Sequence, residues 1–173
     1  MKVSQYMSRP VLTIEPETEF HRAFDLMHSR RIHHLPVVEG DRVLGIVAER
    51  DLLLAAANFG SAEVPVGDIM RGSPVCVSEK TQLKQAARLL VVNHIGSLPV
   101  LSARKVLVGI ITETDIFKIA AGMMHARPAT KATPKSAAGK IPGKTGKKAV
   151  KATASRKRKA VRKSAKRAGA KGK

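Results

Sequence analysis

The sequence predicts an α/β protein: two copies of a strand–helix–strand–strand–helix unit packed as a pseudo-twofold pair, then a disordered basic tail. Three observations predict it. Residues 1–125 repeat themselves at a spacing of 63–64 positions. Within each copy, apolar residues recur first at helical spacing and then in short runs rich in Val, Ile and Leu. Charge is sharply partitioned: 18 of the 32 Lys and Arg fall in residues 126–173 with no acidic residue, leaving 14 basic against 13 acidic in the body. The chain of 173 residues has room for one compact domain or two very small ones.

The elements follow in order, with the first copy at 1–60, the second at 61–123 and the tail at 124–173. Val11–Ile14 and Val75–Val77 read as the opening strands. Phe20, Ala23, Phe24 and Met27 then form one helical face after Thr18, a residue suited to capping, and Leu83, Ala86, Ala87 and Leu90 repeat that face after Thr81. Strands are predicted at 35–38 and 43–47, with Gly40-Asp41 turning between them, and at 98–101 and 106–111. A second helix closes each copy, at 49–58 and 113–123. One copy of ~60 residues buries only a marginal core, and packing two face to face removes that weakness. The lone Cys76 excludes an intramolecular disulfide and a Cys-based zinc site and fits a reducing compartment. No apolar run is long enough for a transmembrane helix, and Met1–Pro10 lacks the apolar core of a secretion signal. A cytoplasmic, nucleoid-associated location is the expectation.

Met7-Ser8-Arg9-Pro10, Leu35-Pro36-Val37-Val38, Val43-Leu44-Gly45-Ile46-Val47 and Glu49-Arg50-Asp51, repeated between Met70 and Asp115, resemble a tandem pair of CBS domains. The resemblance covers about residues 1–122. It implies a pseudo-twofold module that pairs into a disc-shaped homodimer. It also implies clefts between the repeats that take adenosyl ligands: AMP, ADP, ATP or S-adenosylmethionine.

In that family a Gly-apolar-apolar-Thr/Ser-x-x-Asp segment places a hydroxyl near phosphate and a carboxylate on the ribose. Gly109-Ile110-Ile111-Thr112-Glu113-Thr114-Asp115 matches in full. Thr112 stands where a strand becomes a helix, so free N–H groups and the helix dipole favour an anion there. Asp115 can accept from a ribose diol. The same two residues can instead form a capping box that needs no ligand. The first copy keeps Asp51 but has Ala48 in place of the hydroxyl, so its cleft should bind more weakly or use Arg50 for anion contact instead. His33, three residues before Pro36, occupies a position of phosphate contact in some family members, and Gly96 is its counterpart. His21 and His28, with His33 and His34 just beyond, read as a solvated helix face rather than metal ligands, because no carboxylate or thiol completes a spacing typical of zinc. Cys76, in a predicted buried strand, reads as a small hydrophobe. No catalytic triad, P-loop or dinucleotide fingerprint is present, so the chain reads as a non-enzymatic regulator.

From Ala126 onward the tail contains only Ile141, Val150 and Val161 as large apolar residues and cannot offset the entropy of ordering. Its composition is similar to the tails of linker histones and bacterial histone-like proteins. Lys147, Lys148, Lys151, Arg156, Lys157, Arg158, Lys159, Arg162, Lys163, Lys166 and Arg167 are the candidate contacts to DNA or RNA phosphates. Without aromatic residues the tail has no base-stacking platform, so it binds with little sequence preference. It also lacks Trp, Phe, Leu and a lipidation motif, which disfavours a membrane partner. Three functions remain: an adenosyl-sensing regulator tethered to nucleic acid, a ligand-free dimeric histone-like scaffold, and a regulatory subunit of a separately encoded enzyme.

Overall fold

The computed structural model describes residues 1–127. The basic tail expected from 124 onward, including Lys147 through Arg167, lies outside the described residues except for its first four positions. In chain order the elements are α1 (Phe20–Arg30), β1 (His34–Glu39), β2 (Arg42–Ala48), α2 (Glu49–Phe59), β3 (Arg71–Gly72), β4 (Val77–Ser78), α3 (Leu83–Asn93), β5 (Ser97–Leu101), β6 (Leu107–Thr112) and α4 (Glu113–Ala120). Two three-stranded sheets result, ordered β1-β2-β3 and β4-β5-β6. Every pairing is antiparallel except β4 with β5.

The copies are joined by exchange. Ser8 bridges Ile110 in the second sheet, whereas Ile14 bridges Val37 in the first, so residues 9–13 cross between sheets. Residues 73–76 cross the other way, from Arg71–Gly72 against β2 to Val77–Ser78 beside β5. These crossings shorten the expected opening strands. Val11–Ile14 is reduced to the single bridge at Ile14, and Val75–Val77 survives only as Val77–Ser78. Cys76 consequently precedes its strand, half-buried, with its thiol donating to the Pro74 carbonyl at 3.4 Å.

Core composition shows the same exchange. Phe20, Ala23, Met27, Leu35, Val37, Val47 and Leu52 of the first copy cluster with Val66, while Leu83, Ala86, Leu90, Leu98, Val100 and Ile111 cluster with Val3, Tyr6 and Met7. The glycines of the two Gly-Ile motifs admit the exchanged segments. A Cβ on Gly45 would lie 2.5 Å from Met70 Sδ and 2.8 Å from the Arg71 carbonyl oxygen, and one on Gly109 would collide with the Met7 side chain.

Thr18 and Thr81 do not cap their helices. The N-cap residues are Glu19 and Gln82, with no side-chain cap bond at either. The threonines are held by the exchange instead: the Val66 N–H donates to the Thr18 carbonyl at 2.7 Å and the Val3 N–H to that of Thr81 at 2.9 Å. Thr18 is buried and Thr81 Oγ1 accepts from the Ser78 N–H at 3.1 Å. α4 ends at Ala120 rather than 123, followed by Gly122 at φ +70°.

Candidate functional site

The equivalent strand-to-helix junctions of the two copies meet at one cleft of about 580 Å³. Its walls come from His33, His34 and the first turn of α2, and from His94, Gly96 and the first turns of α4. Leu90, Val91, Ile95, Ile116 and Phe117 supply an apolar side. The junctions share one backbone bond: Glu49 N–H donates to the His33 carbonyl and Glu113 N–H to that of Gly96, each at 3.0 Å.

His33 and Arg50 therefore line the cleft, as does His34, which the sequence reading weighed only as part of a histidine cluster for a metal. The exposed His33 imidazole shares a hydrogen bond of 2.6 Å between Nδ1 and Glu49 Oε2. Arg50 extends beside Asp51, Nε to Oδ1 at 4.0 Å. His34 lies more deeply. Burial pushes its pKa below the ordinary 6.5, with Glu113 acting in the opposite direction. The signal for His34 was present in the repeat, since its counterpart is the buried Ser97 and the residue facing it is Gly96.

Thr112 and Asp115 are brought together, but in the helix cap. Asp115 N–H donates to Thr112 Oγ1 at 3.2 Å, while Thr112 N–H and its hydroxyl donate to Asp115 Oδ2 at 2.9 and 2.8 Å. This is the reciprocal capping box, and it holds Asp115 almost fully buried. Neither side chain lines the large cleft, although Glu113 between them does. The first copy forms half of this arrangement: Ala48 N–H donates to Asp51 Oδ2 at 3.1 Å, and the missing hydroxyl leaves the other half unmade. Asp51 Oδ1 lies 3.9 Å from Arg71 on the exchanged β3. On the solvated face of α1, His21 Nε2 pairs with the Gly60 carbonyl at 3.0 Å.

The cleft thus combines imidazoles, a guanidinium and carboxylates with an apolar wall, a donor set suited to a ligand with a flat apolar part and a charged part. Comparison with known proteins agrees with this architecture. Residues 3–58 and 66–122 each match the CBS domain family. A CBS domain-containing protein of Dictyostelium discoideum is 33% identical over 129 residues, covering 68% of this chain and 89% of that protein. An inosine-5'-monophosphate dehydrogenase of Thermoplasma acidophilum is 38% identical over 108 residues, covering 62% of this chain but only 21% of the dehydrogenase. Among solved structures, CBSX2 in complex with AMP, a protein of Arabidopsis thaliana, has a TM-score of 0.63 at 29% identity, covering 70% of this chain and 97% of that one. With both repeats matched and the exchanged two-sheet architecture in place, the chain belongs to the CBS domain family, as a tandem CBS pair.

Proposed function

We propose that this protein is a non-enzymatic regulator whose CBS pair senses an adenosyl ligand. The observation that carries the reading is the inter-repeat cleft, where two helix starts, His33 and Arg50 adjoin an apolar wall. The similarity to CBSX2 in complex with AMP supports it. In this reading His33 and Arg50 meet phosphate. Asp115 and Asp51 stand behind the lining in their helix caps, where they hold the two helix starts that face the ligand. Isothermal titration of AMP, ATP and S-adenosylmethionine into the full chain tests it. Saturable binding that Arg50→Ala weakens about tenfold supports the reading, and absence of heat from every ligand contradicts it.

A ligand-free scaffold is the second reading, favoured by the Thr112–Asp115 cap, in which each side chain already satisfies the other. In both readings two further properties are proposed. Leu53, Leu54 and Val92 are exposed on α2 and α3, and covering them in a homodimer removes apolar surface from water. The tail, with its 18 basic residues, binds DNA or RNA phosphates by releasing counterions.

A further inference from the structure

His34 crosses from the first copy onto the second. Its Nε2 lies 2.7 Å from where a Cβ on Gly96 would stand, and Glu113 Oε1 lies 3.6 Å from that same point. Only a glycine at 96 leaves room for the imidazole there. The device is one-sided, because the residue equivalent to His34 is Ser97, which does not titrate.

The charges around this imidazole come from every element at the cleft. His33 precedes β1, Glu49 and Arg50 open α2 with Asp51 behind them, Glu113 opens α4 and His94 follows α3. Asp51 is already engaged by the Ala48 N–H and faces Arg71. With neutral imidazoles, Glu49 and Glu113 outweigh Arg50, and the lining is net negative. Protonating His34 adds one positive charge, which cancels the net negative charge that an entering anion otherwise meets. Burial holds free His34 in the neutral form.

We infer that His34 takes up a proton when a phosphate-bearing ligand enters the cleft, so that the site selects phosphate esters over uncharged adenosyl compounds and binds them more tightly as pH falls. This rests on the adenosyl reading for its ligand but on the cleft alone for its anion. By linkage, uptake of up to one proton makes affinity rise by as much as about tenfold per pH unit. AMP suits the test because its phosphate, with a second pKa of ~6, stays mostly dianionic above neutrality.

The experiment titrates AMP and adenosine into the full chain between pH 6.5 and 8, in two buffers of different ionisation heat. Expected are a several-fold gain in AMP affinity toward pH 6.5, measurable proton uptake, and little pH dependence for adenosine. His34→Gln should remove both the slope and the uptake while AMP still binds. AMP binding without proton uptake, or an unchanged slope in H34Q, overturns the inference. A second measurement follows the His34 imidazole by NMR as inorganic pyrophosphate is added. Its titration midpoint should rise, and an unmoved midpoint overturns the inference. If AMP fails to bind but pyrophosphate raises the midpoint, the adenosyl reading fails and the proton-coupled anion site stands.

Discussion

Thr18 carries a buried hydroxyl that no protein group among the described residues meets, and a valine would fill nearly the same space. A buried unmet hydroxyl costs about 1–3 kcal/mol, so Thr18→Val should stabilise the body by about 1 kcal/mol in urea unfolding. Had Thr18 been the helix cap that its sequence position suggests, the same change would cost about 1 kcal/mol. The sign of the result separates the two. His34 gives a second outcome at this scale. Its pKa lies below 6.5 because of burial, so the fold binds it less well when protonated. The corresponding stability is present above pH 6.5 and is lost as pH falls through the lower folded value. Melting temperature should therefore fall less between pH 6.5 and 5 in His34→Gln than in the parent. Cys76, pushed up by burial, should react with a maleimide more slowly at pH 7.5 than a free thiol does. Single residues were unevenly legible. Asp115 could be placed from its motif, whereas the role of Thr18 depends on Val66, almost fifty positions away, and no local pattern reports that.

Periodicity located the elements well, because helical faces such as Phe20-Ala23-Phe24-Met27 and strands such as Leu35–Val38 depend on their own side chains. It failed at β3 and at the opening strands. Arg71–Gly72 is held by pairing with β2, and residues 9–13 cross between sheets, so the long-range partner decides their form. The glycines that permit this exchange offer a direct test. Gly45→Ala would press a methyl group toward the Arg71 carbonyl oxygen at 2.8 Å, which must move with its strand. Gly109→Ala presses only on the flexible Met7 side chain. Overpacking costs about 1–3 kcal/mol, and Gly45→Ala should lie at the upper end with Gly109→Ala below it. Equal and small losses in chemical denaturation would show that the exchanged segments are not tightly seated.

Across the whole molecule the duplication was the most legible feature, since two copies in register carry the same glycines, prolines and carboxylates. The cleft between them was less so. It is assembled from residues such as His34, Gly96 and Glu113, which lie far apart in sequence and belong to different copies. Two further outcomes belong to this scale. Sedimentation of the protein at micromolar concentration should show a homodimer, and Leu54→Glu with Val92→Glu should shift it toward monomer. Deleting residues 126–173 should abolish binding to duplex DNA, and with 6–10 phosphate contacts log affinity in the full chain should fall with log salt at a slope of roughly −5 to −9. Strong DNA binding by the truncated protein would place the contacts on the body instead.

The central claim is that the CBS pair binds an adenosyl ligand, and the melting temperature of the full chain with and without AMP tests it most directly. At a hundred times its dissociation constant, a ligand specific to the folded state stabilises it by ~2.7 kcal/mol. That corresponds to a rise of roughly 5 °C or more, which Arg50→Ala should largely remove relative to its own ligand-free baseline. A melting temperature that millimolar AMP, ADP, ATP and S-adenosylmethionine all leave unmoved would contradict the claim and favour the ligand-free scaffold.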